Sequence, residues 1–197
     1  MLRGIGTSAT LVNVDCSEAQ LALAEETGIT RVCAPIEEFR RCDVAALNQR
    51  LFLMMRSVLH YAGQSGLPHL LHHLREQTKE GEFMVHQSAT FDNEGDAACL
   101  NALYKHMRTA KWYPTVKVLE SSLADAGWRV TESISAPTLV LTSGDLGLRY
   151  ALDASDLARI RDVMTVEFGE SNNVFRLTPS GFLADLHYRI FTCVATP

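Results

Sequence analysis

The order of apolar runs and helical segments constrains the fold of this chain more than any other feature of its sequence. Strands are predicted in its first half at 10–14, 30–34, 50–56 and 82–87. Helices are predicted between them at 17–28 and 66–80. Repeated alternation of strand and helix, with crossovers of this length, predicts a doubly wound α/β domain with a mostly parallel sheet.

The second half of the chain has a different order of elements. Two helices, at 96–108 and 115–126, follow one another with no strand between them. After them the sequence predicts a strand at 128–134 that resumes at 138–142. A helix at 154–168 and a last strand at 188–195 follow. We expect the late strands to form an antiparallel pair. We also expect one domain over 1–197, with a helical cap segment near 91–113.

Composition and charge limit the function classes. The chain has 197 residues, of which 47% are hydrophobic, enough for one sizeable core. A net charge of -5 without a Lys/Arg cluster argues against nucleic acid or an anionic membrane as partner. Five scattered cysteines without a CxxC pair predict reduced, buried thiols in a cytoplasmic protein. No apolar run is long enough to cross a bilayer.

Two strand ends carry side chains with possible chemical roles. The strand at 10–14 ends in Asp15, and a carboxylate at the carboxyl edge of a parallel strand can accept two hydrogen bonds from a vicinal diol. The apolar run at 50–56 predicts a strand buried on both faces. His60 follows that strand, where a neutral imidazole could serve as a general base. Asp15 could equally stabilise the start of the next helix, and His60 could face solvent.

The segment VNVDCSEAQLALA resembles the second strand and following helix of class I S-adenosylmethionine-dependent methyltransferases. Four later segments resemble the rest of that Rossmann-like fold: LFLMMRSVLHYAG, YPTVKVLESSLADAGWRVTES, RYALDASDLARIRDVM and TPSGFLADLHYRIFTCVAT. The resemblance implies S-adenosylmethionine as cofactor, with Asp15 on the ribose and with Cys16 and Ile36 beside the adenine. It places Arg56 and Ser57 near the methionine part.

The same resemblance implies where a small-molecule substrate would bind. His106, Trp112 and Tyr113 follow the strand at 82–87, where the family builds a substrate cap from aromatic and polar side chains. His60 would remove the substrate proton. The three aromatic and polar cap residues could instead bury the cap helices against the sheet.

Two departures from the family pattern keep other functions open. The family's GxGxG loop precedes the ribose-binding acid by about twenty residues, and Gly4–Ile5–Gly6 lies too close to Asp15 to be that loop. Pro35 stands where many relatives have an acid that binds the adenine amine. These departures favour a non-methylating protein, either a cyclase or an inactive partner subunit, or a reading frame that starts upstream. They also favour a homodimer, or pairing with a segment that supplies the family's first strand.

The histidines of the HLLHH segment form the one cluster that suggests a metal. His69 and His73 lie one helical turn apart and could share an ion. A solvated helix face is the stronger interpretation, because no carboxylate at helical spacing completes the ligand set. We therefore expect no metal.

Overall fold

The computed structural model describes residues 9–23 and 28–197. Gly4–Ile5–Gly6 lies outside the described residues. The strands are Val12–Asp15 (β1), Thr30–Cys33 (β2), Phe52–Arg56 (β3), Phe83–Ala89 (β4), Trp128–Ser135 (β5), Leu139–Thr142 (β6), Phe175–Thr178 (β7), Gly181–Leu186 (β8) and Tyr188–Ala195 (β9). The α-helices are Glu18–Ala22 (α1), Arg41–Val44 (α2), Gly63–Glu76 (α3), Glu94–His106 (α4), Val116–Asp125 (α5), Ser143–Tyr150 (α6) and Ala154–Phe168 (α7).

Side-chain caps define where the helices begin. The Ser17 hydroxyl accepts a hydrogen bond from the N–H of Gln20 at the start of α1. Thr115 caps α5 in the same way, and Gly127, with φ of 85°, follows the end of that helix. The sequence predicts a helix over 17–28, whereas α1 ends at Ala22. Residues 24–27 lie outside the described residues.

The main sheet has four strands in the order β3-β4-β9-β5. β3 and β4 are parallel, and β9 lies antiparallel between β4 and β5. Three strands therefore run in one direction and only β9 runs against them, which confirms the antiparallel arrangement expected at the end of the chain. β1 and β2 form a separate parallel pair.

β3 is buried on one face only. Met55 is 9% exposed and packs in a core with residues of α3 and α5, whereas Phe52 and Met54 are each 57% exposed. Among the described residues, β3 pairs with β4 alone, so its other edge is unpaired. The prediction of a strand buried on both faces is wrong for the face that carries Phe52 and Met54, because no described element covers it.

A second, smaller sheet holds the cap segment in place. β6, β8 and β7 form an antiparallel sheet in that order, and they share a hydrophobic core with α4, α6 and α7. Phe91, Leu100 and Tyr113 from the predicted cap segment belong to this core. The expectation that β6 resumes β5 is wrong, because β6 pairs with β8 instead.

Candidate functional site

Asp15 lies at the carboxyl end of β1, immediately before α1. Its Oδ1 accepts a hydrogen bond of 2.8 Å from the N–H of Ser17. Its Oδ2 has no hydrogen-bond partner among the described residues, and the side chain is only partly buried. The carboxylate therefore orders the turn into α1 and keeps one oxygen available for a ligand hydroxyl.

Two residues are predicted to flank an adenine: Cys16 directly follows β1, and Ile36 lies shortly after β2. Cys16 is exposed, and its carbonyl accepts a hydrogen bond from the Cys33 thiol. Ile36 begins the short 3-10 helix Ile36–Glu38 and packs, partly buried, on the core beneath α3. The expectation of buried thiols is wrong for three cysteines, since Cys16, Cys33 and Cys42 are exposed.

β3 ends in a sharp turn that positions the next helix. Ser57 has φ of 57°, a left-handed conformation that costs energy for a residue other than glycine. Its N–H donates to the carbonyl of Gln87, 2.9 Å away, and its hydroxyl donates to the Tyr188 hydroxyl over 3.1 Å. Arg56 precedes it, exposed and without an ion pair to another described residue. The turn directs the chain into the 3-10 helix Leu59–Ala62.

His60 lies in that 3-10 helix and is 9% exposed. Its ring stacks on Tyr113 with 5.1 Å between ring centroids, and it lies 4.3 Å from the ring of Tyr61. Burial, with a smaller contribution from the charge of Lys111, lowers the pKa of His60 to about 4. Its ring nitrogens bond to no other described residue, and the side chain lines a narrow cleft with Ser88. At neutral pH the imidazole beside this cleft is therefore uncharged.

Two of the three predicted cap residues lie against His60. The N–H of Trp112 donates to the carbonyl of His60, and Trp112 lines the same cleft. Two 2.8 Å hydrogen bonds with the Asn101 side chain hold the backbone of Tyr113. His106 faces α7, where its Nε2 lies 3.6 Å from the carboxylate of Glu167. The structure thus brings together His60, Trp112 and Tyr113, and it places His106 on another face of α4.

Several polar residues of this region were not found by sequence reasoning. Lys111 Nζ donates to the Tyr150 hydroxyl over 2.7 Å and lies against the ring of Tyr61. Burial raises the pKa of the phenols of Tyr104 and Tyr113. Tyr104 comes from α4 and Tyr150 from α6, elements far apart in sequence. Only the aromatic content of these helices could have indicated them.

A buried histidine lies on the same face of the sheet as this cleft. His86 of β4 is fully buried, and its Nδ1 lies 3.0 Å from the hydroxyl of Ser88. Its Nε2 has no hydrogen-bond partner among the residues that the structure describes. Burial lowers its pKa to about 4, so it packs as a neutral ring against Phe191.

The HLLHH histidines do not converge with carboxylates or thiols. His73 Nε2 lies 2.8 Å from the carbonyl of Phe39, and His69 and His72 are exposed. Across residues 9–23 and 28–197, no three His, Cys, Asp or Glu side chains are grouped to hold a metal ion. No helix in these same ranges is both long and apolar enough to traverse a lipid bilayer.

Solved structures share this arrangement of strands and helices. A candidate methyltransferase from Bacillus halodurans superposes with a TM-score of 0.70 at 12% identity, over 94% of this chain and 82% of that one. The chain has the methyltransferase fold. The Burkholderia thailandensis 1,6-didemethyltoxoflavin-N1-methyltransferase, solved with its substrate and S-adenosylhomocysteine, matches with a TM-score of 0.51 at 13% identity, over 100% of this chain and 65% of that one. No protein-family model matches the sequence, and no curated protein matches it.

The methyltransferase fold also includes a protein described as a cyclase. SpnF matches with a TM-score of 0.51 at 12% identity, over 99% of this chain and 70% of that one. At these identities the likeness concerns the fold, and it confirms the Rossmann-like α/β class. Asp15 and Ser57 follow the carboxyl ends of β1 and β3 in this fold, and their neighbours Val14 and Val58 pack on one core.

Proposed function

We propose that this protein binds S-adenosylmethionine and transfers its methyl group to a small-molecule substrate. The proposal depends on one observation, an acid at the carboxyl end of β1 in a methyltransferase fold, one of whose oxygens bonds to no described residue. The carboxyl ends of the strands are where open α/β sheets bind their ligands. The S-adenosylhomocysteine in the structurally similar Burkholderia enzyme supports this choice of cofactor.

The residues at the carboxyl ends of β1, β2 and β3 fit the parts of this cofactor. Asp15 Oδ2, which no described residue contacts by a hydrogen bond, could accept from a ribose hydroxyl, and Cys16 and Ile36 offer apolar contacts for an adenine ring. Arg56 and Ser57 supply a charge and a hydroxyl for the methionine part. When bound, the cofactor supplies an electrophilic methyl group on a sulfonium.

The chain itself contributes mainly by positioning the substrate. His60 is neutral at pH 7 and can take a proton from a substrate hydroxyl at the mouth of the cleft. Because its pKa of about 4 makes it a weak base, orientation of the substrate against Trp112 and Tyr113 is expected to matter more. His106 could join the substrate site only at its outer rim, since its ring faces Glu167.

A non-methylating role is the second candidate. The similarity to the cyclase SpnF favours it, as does the unpaired edge of β3 in the part of the chain that the structure describes. An unpaired edge beside an exposed apolar face can accept a strand from a second copy or from another segment. A cyclase or an inactive partner subunit would use the same cleft without methyl transfer.

Calorimetric titration with S-adenosylmethionine tests the first candidate. Asp15→Asn keeps an oxygen for the Ser17 N–H but loses the charge that favours a diol, so we expect about tenfold weaker binding. Asp125→Asn, an exposed acid at the end of α5, is the matched control and should bind normally. The proposal fails if the wild type does not bind at millimolar cofactor, or if both variants bind equally well.

Light scattering and product analysis separate the two candidates. Formation of S-adenosylhomocysteine with an accepted substrate supports methyl transfer. A monomer that binds the cofactor counts against the partner-subunit role, whereas binding without any transferred methyl supports the cyclase role.

A further inference from the structure

The ammonium of Lys111 lies beside the rings of three tyrosines. The loop between α4 and α5 contains this residue, next to Trp112 and Tyr113. Its Nζ lies 4.5 Å from the centroid of the Tyr61 ring, 5.1 Å from that of Tyr150 and 6.0 Å from that of Tyr104. The backbone bonds of the two following residues fix the loop, so the position of the ammonium is defined by tertiary contacts.

The charge of Lys111 is left without an acidic partner among the described residues. An ammonium has three N–H donors, and the Tyr150 hydroxyl takes one of them. No carboxylate of the described residues lies within 4.0 Å of Nζ. Tyrosine faces attract the cation but do not accept its remaining donors as an anionic oxygen does. Of the residues beside the ammonium, Tyr61 is 63% exposed and so can contact a ligand from solvent.

Lys111 and Tyr61 lie next to the proposed general base, His60. Tyr61 is the direct neighbour of His60, and the charge on Lys111 helps to lower the pKa of that imidazole. A small molecule held at Nζ would therefore lie close to His60.

We propose that Lys111 binds an anionic oxygen of the substrate, and that the substrate is a small aromatic or unsaturated carboxylate whose carboxylate contacts Nζ and whose apolar part packs on the exposed part of Tyr61. The proposal rests on the proposed function for the identity of the ligand as substrate. The ammonium would donate its two free N–H groups to the carboxylate, and the tyrosine ring would cover the apolar part.

Benzoate and benzamide are matched probes for this site, because they share a ring and differ in charge. We expect the wild type to bind benzoate about tenfold more tightly than benzamide, as measured by ligand-observed NMR or calorimetry. Lys111→Met keeps a long apolar side chain over the tyrosine rings and removes the charge, so that it should lose this preference. Lys111→Arg should keep it.

Lys117→Met is the control, since this lysine is exposed on α5 and its loss changes the net charge equally. Circular dichroism establishes that each variant is folded. Equal binding of benzoate and benzamide by the wild type, or an unchanged preference in Lys111→Met, would overturn the proposal. A further outcome would also overturn the proposal. If the wild type does not prefer benzoate over benzamide and Lys111→Met binds tetramethylammonium, the tyrosines form a site for cations.

The titration contains no S-adenosylmethionine, so its result is independent of the cofactor. Carboxylate preference without cofactor binding would reject methyl transfer and retain the anion site. Cofactor binding without carboxylate preference would reject only the anion site.

Discussion

Replacing Glu82 with glutamine is expected to lower the free energy of unfolding by about 3 kcal/mol at neutral pH. The Glu82 side chain is 1% exposed and lies at the start of β4. Arg41 of α2 donates to both of its oxygens, over 2.7 and 2.9 Å. The N–H groups of Leu51 and Lys79 donate to the same carboxylate, over 2.8 and 2.7 Å.

The magnitude follows from the pKa of this carboxyl. Burial raises the pKa of Glu82, but the bonds from Arg41, Lys79 and Leu51 outweigh burial and lower it from 4.5 to about 2. Each pKa unit corresponds to about 1.4 kcal/mol, so the ionised form is favoured in the folded protein by about 3 kcal/mol. A glutamine would turn one acceptor into a donor facing other donors and leave the Arg41 charge buried without its partner.

The sign of the pH dependence is fixed by the lowered pKa. The contribution of Glu82 is fully present above the unfolded value of about 4.5, and it is lost as the pH falls towards 2. Urea unfolding at pH 7 and at lower pH should therefore show a gap between wild type and Glu82→Gln that narrows on acidification. The exposed neighbour Glu80 provides the control variant Glu80→Gln. A Glu82→Gln protein within about 0.5 kcal/mol of wild type at pH 7 would refute the reasoning.

Two further predictions concern the imidazole at the cleft and a turn in the small sheet. The pKa of His60, measured by NMR, should be about 4. Acidification from pH 6.5 towards 4 should lower the free energy of unfolding, because the imidazole binds a proton in the unfolded chain before it does so in the folded protein. A measured pKa near 6.5 would contradict the burial of His60. Gly181→Ala should destabilise the protein by about 2 kcal/mol in urea unfolding, because φ is 149° and the new Cβ would overlap the hydroxyl of Ser143. Gly169→Ala meets no atom within 4 Å and should cost less, so an equal loss would refute the steric argument.

Local patterns were sufficient to predict most elements of the main sheet. Apolar periodicity and caps such as Ser17 and Thr115 act within a few residues, so they identify β1 to β5, α3, α4, α5 and α7 within a few positions. They missed α6, β7 and β8, and they joined β6 to β5. Those elements are short, and their pairing partners lie far along the chain, where no local pattern indicates them.

The candidate site divides in the same way. Asp15 ends β1, and Ser57 and His60 follow β3, so sequence alone could indicate that they lie at the carboxyl ends of strands. Which cap residues reach His60 was decided by the tertiary structure, because Asn101 holds Tyr113 there while α4 directs His106 towards α7.

The sequence by itself determined the order of the strands and helices from β1 to β5 and the acid at the end of β1, because these depend on neighbouring residues. Only the tertiary structure decided that Lys111 meets Tyr61 and Tyr150, and that Glu82 meets Arg41. Each of these contacts joins segments that lie far apart in the sequence, and the periodicity of apolar residues does not indicate that they meet. Burial and charge act through distance in space, and that distance is set by how the whole chain packs.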